Sequence, residues 1–133
     1  MVPCNALFLY QGLRARGTFF TMKTLTNSLG LEFASAPPLK NILFGKWLTR
    51  VKDFRAFVQA TGYDATQDMR SLKTDGWKPH GDTWEHPGFP QTDGHPVCGV
   101  SWQDAQAFCE WLTEKEHGSG QLPAGWPPIM FFS

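Results

Sequence analysis

Residues 95–112 read His-Pro-Val-Cys-Gly-Val-Ser-Trp-Gln-Asp-Ala-Gln-Ala-Phe-Cys-Glu-Trp-Leu and give the strongest local signal in the chain. Ser101 and Asp104 have the spacing of a capping box, in which each side chain accepts a hydrogen bond from the other residue's backbone N–H. Apolar residues then recur at helical spacing, namely Ala105, Phe108, Cys109 and Leu112, with Trp111 beside them. The pattern predicts an amphipathic helix that begins after Ser101 and ends at Gly118.

A second amphipathic helix is predicted from residue 49 onward. Its apolar face consists of Val51, Phe54, Phe57, Val58 and Thr61. Thr49 is the predicted N-cap, and Gly62 can take the left-handed conformation that ends a helix. Arg50, Lys52 and Arg55 are compatible with a nucleic-acid surface, but three charges along one stripe are typical of a solvated face.

Two short strands are predicted ahead of this helix. Residues 27–36 alternate Leu29, Leu31 and Phe33 against smaller or polar residues, which is the period of a half-buried strand. Pro37-Pro38 ends it, because proline donates no hydrogen bond to a sheet. A second strand is predicted over residues 42–47.

Residues 63–96 have no sustained period and are rich in glycine and proline. A loop of this length is usually functional or packed by its own side chains, here Trp77, Trp84 and Phe89. The histidines and acids of this segment can be read as a metal cluster: His80, His86, His95, Asp82, Glu85 and Asp93. No pair of them has the spacing of a known helical ligand motif, so turn formation and loop packing are the favoured roles.

Length and composition limit the classes of protein to which the chain can belong. The 133 residues have the length of one domain, and 41% of them are hydrophobic, which supplies a core. Twelve basic and twelve acidic residues give no electrostatic reason to expect a nucleic acid or an acidic membrane as partner. We expect no membrane-spanning helix, because no run of about 18 apolar residues occurs. Nothing in the sequence indicates a compartment.

The chain has three cysteines, Cys4, Cys98 and Cys109. They are too few for a disulfide scaffold and lack the Cys-x-x-Cys spacing of a zinc or redox site. Buried thiols are the favoured interpretation of Cys98 and Cys109, because free cysteine behaves as a small hydrophobic residue. A disulfide between these two residues stays open as an alternative.

Three stretches together resemble a known family. Residues 27–33, 47–58 and 84–112 are similar to the amino-terminal half of the formylglycine-generating enzyme, or sulfatase-modifying factor, domain. The third stretch is the most specific, because it combines His-Pro-Val, Val-Ser-Trp and Ala-Phe-Cys-Glu-Trp-Leu in that order. The resemblance covers residues 26–126, which leaves residues 1–25 as a non-matching extension and residues 127–133 as an aberrant tail.

The resemblance implies an α+β fold of the C-type-lectin-like kind, present here in incomplete form with two amphipathic helices, short strands and long ordered loops. Family enzymes oxidise a sulfatase cysteine to formylglycine with oxygen and a copper ion held by two cysteines of the carboxy-terminal half. The family's calcium ligands also fall mostly beyond Trp126. The family continues there with Tyr-Arg-Leu-Pro-Thr-Glu-Ala-Glu-Trp, whereas this chain has Pro127 to Ser133.

We therefore expect a truncated domain without catalysis of its own, in which no residue has a catalytic, cofactor-binding or metal-binding role. No cofactor is expected in this chain, and a sulfatase-type protein is the expected partner of an intact parent. The alternative is a lectin-like module that binds a peptide or a sugar through the loop aromatic residues Trp77, Trp84 and Phe89.

Overall fold

The computed structural model describes residues 7–11, 24–35, 42–67, 69–122 and 128–132. Its elements in chain order are β1 (Leu7–Gln11), β2 (Thr24–Thr26), β3 (Glu32–Ser35), β4 (Ile42–Gly45), α1 (Val51–Thr61), β5 (Ser71–Lys73), β6 (Gly76–Lys78), α2 (Trp102–Ser119) and β7 (Met130–Phe132). Two helices with antiparallel strands confirm the α+β class. The described residues fall into two compact units, one of residues 48–108 and one of residues 7–47 and 109–132.

The second unit contains an antiparallel sheet of five strands in the order β2-β3-β4-β1-β7. Strand β1 lies between β4 and β7, with Leu9 opposite Phe44 of β4 and opposite Met130 of β7. Strands β1 and β7 thus come from the two end segments of the chain. The buried apolar residues of this unit are Leu31, Phe33, Leu43, Cys109, Leu112, Leu122 and Ile129.

The strand predicted over residues 27–36 is wrong in its first half, where the chain turns. The Asn27 Oδ1 atom accepts hydrogen bonds from the backbone N–H groups of Leu29, at 3.0 Å, and Leu31, at 2.9 Å. Gly30 takes a φ of 74°, a left-handed conformation that favours glycine. Asparagine can replace a backbone acceptor in this way, so the turn prevails over the alternation. The strand predicted at 42–47 is confirmed as β4, which ends at Gly45.

Helix α1 begins one residue later than predicted, with Arg50 as its N-cap. The Asp53 carboxylate accepts from the Arg50 backbone N–H at 3.0 Å and from Arg50 Nε at 2.8 Å. A carboxylate in the first turn also interacts favourably with the positive end of the helix dipole. The prediction of Thr49 as the cap is therefore wrong. Gly62 ends the helix as predicted, with a φ of 69°.

The apolar face of α1 forms the centre of the first unit's core. Val51, Phe54 and Phe57 are buried, whereas Thr61 is exposed and its hydroxyl donates to the Phe57 carbonyl. The Phe54 ring has aromatic neighbours on several sides. Its centroid lies 5.4 Å from that of Phe57, 5.1 Å from that of Trp84 and 5.9 Å from that of Phe108.

Helix α2 begins with the predicted capping box. The Ser101 backbone N–H donates to Asp104 Oδ2 at 2.7 Å, and the Asp104 N–H donates to Ser101 Oγ at 3.1 Å. The predicted apolar stripe is buried, whereas Glu110, Glu114 and Lys115 are exposed. The helix runs past Gly118 to Ser119, and Gly120 takes the left-handed conformation with a φ of 73°.

Replacing Ser101 with alanine removes the acceptor for the Asp104 N–H. We expect the free energy of unfolding to fall by about 1 kcal/mol, the usual cost of a lost N-cap. Urea denaturation measures the change, and Gln106→Ala on the exposed face of the same helix is the matched control. If Ser101→Ala is as stable as the wild type, the cap contributes nothing to the folded chain.

The segment between the helices contains a short hairpin that was not predicted. Strands β5 and β6 pair antiparallel around a two-residue turn, with Leu72 opposite Trp77 and Lys73 opposite Gly76. Each strand has only three residues, which is too short for the alternation of side chains to be recognised in the sequence.

Candidate functional site

The cysteines are candidate site residues, because the resemblance implies a copper–thiolate enzyme. Cys109 lies on α2 and is 3% exposed, whereas Cys98 is half-buried and its Sγ atom lies 3.7 Å from the Pro96 carbonyl oxygen. Neither forms a disulfide. The expectation of a buried thiol is therefore confirmed for Cys109, and Cys98 is more accessible than expected. Cys4 lies outside the described residues.

The Cys109 thiol is buried in the core and is a weak acid there. Burial among apolar neighbours raises the pKa of the Cys109 thiol well above its ordinary value, with a smaller contribution from the nearby Glu110 carboxylate. The thiolate, not the thiol, is the form that binds metal. Copper would also need a second thiolate beside the first. Burial and a raised pKa are the features of a thiol that packs in a core.

The buried thiol has a consequence for stability at alkaline pH. The unfolded chain releases the Cys109 proton near pH 8.5, while the folded chain keeps it because the folded-state pKa is raised. Raising the pH above about 8.5 therefore favours the unfolded state, by about 1.4 kcal/mol per pH unit for this group. Below that pH the contribution of Cys109 is fully retained.

Denaturation between pH 7 and pH 10 measures this effect, and we expect Cys109→Ala to lose the slope that Cys109 contributes. Cys98→Ala is the matched control and should keep it. Identical pH profiles for the wild type and Cys109→Ala would show that the thiol ionises in the folded protein.

The histidines and acids of residues 80–95 are dispersed over several local contacts. His95 Nδ1 accepts from the Thr92 N–H at 2.9 Å, and Asp93 forms an ion pair with Arg55. His80 Nε2 lies 3.3 Å from the Gly76 carbonyl oxygen. These contacts support the predicted roles in turns and loop packing. In the part of the chain that the structure describes, no three metal-ligating side chains come together.

Asp82 is the member of this cluster that organises the loop. Its carboxylate accepts from the Ser71 hydroxyl and lies 3.2 Å from Lys73 Nζ, so it holds two residues of β5. The Ser71 hydrogen bond, followed by the Lys73 ammonium group, holds the pKa of Asp82 below its usual value. A Cβ atom added to Gly88 would lie 3.2 Å from Asp82 Oδ1. Asp82 therefore brings the hairpin next to the segment around Gly88.

The loop aromatic residues do not share one environment. Trp84 is 1% exposed and packs edge-on against Phe54, which supports the packing interpretation for this residue and not its use in binding. It fills the core because α1 offers an aromatic surface that the loop has to cover. Trp77 and Phe89 are exposed, at 55% and 51%. Leu72, which the sequence analysis did not single out, is 72% exposed and lies directly across the hairpin from Trp77.

A buried carboxylate was also missed. Glu116 of α2 is fully buried, and its carboxylate accepts from the backbone N–H of Ser28, at 3.1 Å, and from the Ser28 hydroxyl. These bonds fasten the turn at Asn27 to the helix. Helical spacing offered a signal, because Glu116 lies four residues after the buried Leu112. This contact uses the Asn-Ser pair of the 27–33 stretch in a structural role.

The helices carry no membrane signal. None of those in the described residues combines the length and the apolar content needed to cross a bilayer.

Comparison with known proteins identifies the family of the chain. Neither the search of curated proteins nor that of solved structures found a match. The family model of the sulfatase-modifying factor enzyme 1-like domain matches residues 39–126, which is more than half of the 133-residue chain. The matched segment includes α1, the hairpin and α2, the elements that contribute the aromatic core and the exposed Leu72 and Trp77. The chain therefore belongs to the family of sulfatase-modifying factor enzyme 1-like domains.

Proposed function

We propose that residues 26–126 form the amino-terminal part of a sulfatase-modifying factor domain and carry no oxidase chemistry of their own. In this proposal the fold is C-type-lectin-like, residues 1–25 are an extension and residues 127–133 are a tail. A sulfatase-type protein is the substrate of an intact parent. The buried thiol of Cys109 carries the proposal, because it occupies a core position instead of a reactive one.

The chemistry of the family sets a requirement that the two thiols of the described residues do not support. When copper is bound in the family, it supplies the oxidation of a substrate cysteine by oxygen. Two neighbouring thiolates have to hold such an ion. In this chain Cys109 keeps its proton and is closed off from solvent, while Cys98 lies against the Pro96 carbonyl group.

The described residues instead support a structural role. Two capped helices, an aromatic core around Phe54 and the Glu116–Ser28 contact fix the elements of the family match. The two capping carboxylates and Glu116 accept hydrogen bonds from within the protein. They are the features of a scaffold that holds other residues in place.

Cuprous-ion binding tests the proposal. We would titrate the purified reduced chain with Cu(I) against a competing chelator and compare it with Cys98→Ala and Cys109→Ala, whose folding is checked by circular dichroism. We expect Cys109→Ala to bind Cu(I) as the wild type does. One tightly bound Cu(I) per chain, lost in both variants, would overturn the proposal.

A further inference from the structure

We propose that the outer edge of β5 binds an extended segment of a partner polypeptide. The segment places an apolar side chain against Leu72 and Trp77 and a carboxylate, two residues further along, against Arg70. This proposal does not depend on the function proposed above.

The first observation is an apolar pair without cover. Leu72 and Trp77 are direct cross-strand partners and remain 72% and 55% exposed. Side chains that face each other across a strand pair stand on the same face of the sheet. Large apolar side chains grouped on a surface mark an interaction site more often than single ones do.

The opposite face of the hairpin is already occupied. Ser71 and Lys73 both contact the Asp82 carboxylate, so they point toward the loop. Because successive side chains of a strand alternate, Leu72 points away from that loop. The loop anchors one face and leaves the other, with Leu72 and Trp77, to solvent.

The backbone of β5 offers hydrogen bonds along its outer edge. A two-residue turn makes Lys73 and Gly76 a hydrogen-bonded pair, and the next pair, Leu72 and Trp77, is then a non-hydrogen-bonded one. The N–H and C=O groups of Leu72 consequently point out of the hairpin. On the β6 side Pro79 follows the strand and has no N–H to offer, which blunts that edge. Among the described residues, no strand pairs with the outer edge of β5.

Charge selects the chemistry of the partner. The positive charges of Lys73 and Lys78 are paired with carboxylates. Lys73 lies 3.2 Å from Asp82, and Lys78 lies 2.6 Å from Asp75. Arg70 is exposed, and no acidic group of the described residues forms an ion pair with it. It directly precedes β5, and continuing the alternation of that strand by one residue places it on the face of Leu72. A carboxylate of the partner would complete this face.

The occupant that satisfies all three features is an extended peptide that adds a strand to the sheet. In the antiparallel arrangement its apolar residue lies opposite Leu72, and its acidic residue, two positions later, lies opposite Arg70. A sugar would use the Trp77 ring but neither the Leu72 backbone groups nor the Arg70 charge. The observations therefore favour the peptide.

The probe is the synthetic peptide acetyl-Thr-Val-Thr-Ile-Thr-Glu-Thr-amide, titrated into the ¹⁵N-labelled full chain. We expect amide shifts at Arg70 and Leu72. Methylation of the isoleucine nitrogen should weaken binding about tenfold, because that N–H donates to the Leu72 carbonyl. Methylation of the nitrogen of the threonine that follows the isoleucine should leave binding unchanged, because that N–H faces solvent. Equal effects of the two methylations, or no shifts at β5, would overturn the proposal.

Charge reversal is the second arm. Arg70→Glu should weaken binding of the glutamate peptide and strengthen binding of a peptide with lysine in place of the glutamate. Each change should be about threefold to fivefold, which corresponds to the energy of an exposed ion pair. Lys52→Glu, on the exposed face of α1, is the control and should change neither. Shifts at Trp77 with a panel of oligosaccharides and none with the peptide would show that the surface binds sugars, which would also overturn the proposal.

Discussion

Phe108→Ala is expected to lower the free energy of unfolding by about 3–5 kcal/mol, the range for removing a large aromatic side chain from a core. Phe108 is fully buried. Its ring lies 5.9 Å from the Phe54 centroid and 5.7 Å from the Phe57 centroid, so truncation leaves a cavity between the two helices' aromatic residues. Urea denaturation followed by circular dichroism gives the change directly.

Phe89→Ala is the matched control for this substitution. Phe89 is 51% exposed, so its loss should change the free energy of unfolding by about 0.5 kcal/mol or less. Equal effects at the two positions would mean that the aromatic core around Phe54 does not form.

Trp84→Ala is expected to have an effect of similar size, about 3–5 kcal/mol. The indole is 1% exposed and its centroid lies 5.1 Å from that of Phe54. Its loss should also reduce the fraction of tryptophan fluorescence that iodide cannot quench.

Trp77→Ala is the comparison for Trp84→Ala, because it removes an exposed indole instead of a buried one. It should leave stability within about 0.5 kcal/mol of the wild type and remove an iodide-accessible component. A larger loss of stability for Trp77→Ala than for Trp84→Ala would contradict the assignment of the two indoles.

The helices could be predicted because their signals are local. The Ser101–Asp104 box and the stripe that includes Phe108 depend only on residues within one or two turns, and both are observed. The N-cap of α1 was misplaced for a related reason. Thr49 and Asp53 both offered an acceptor to the first turn, and propensity alone does not show that Asp53 would bond to Arg50.

The turn at Asn27 shows where alternation misleads. Leu29, Leu31 and Phe33 have the spacing of a strand, but the Asn27 side chain supplies an acceptor that closes a turn over the first of them. The partner that fixes this turn, Glu116, lies 88 residues away in sequence. Contacts of such separation leave no local pattern, so they could not be predicted from spacing.

The exposed surface was predicted only in part, for a similar reason. Trp77 and Phe89 were recognised as large aromatic residues in a loop, but composition does not indicate which of them the core needs, and Trp84 is the one it buries. Leu72 gained its importance from the pairing with Trp77 across the hairpin. The three-residue strands gave no period from which that pairing could be predicted.

We expect Cys109 of this member of the sulfatase-modifying factor family to serve in packing instead of oxidation. The most direct measurement is to incubate the purified full chain with Cu(I), oxygen and a Cys-x-Pro-x-Arg peptide, and to examine the peptide cysteine by mass spectrometry. We expect that no formylglycine forms. Formylglycine that appears with the wild-type chain, and fails to appear with Cys98→Ala or Cys109→Ala, would contradict it.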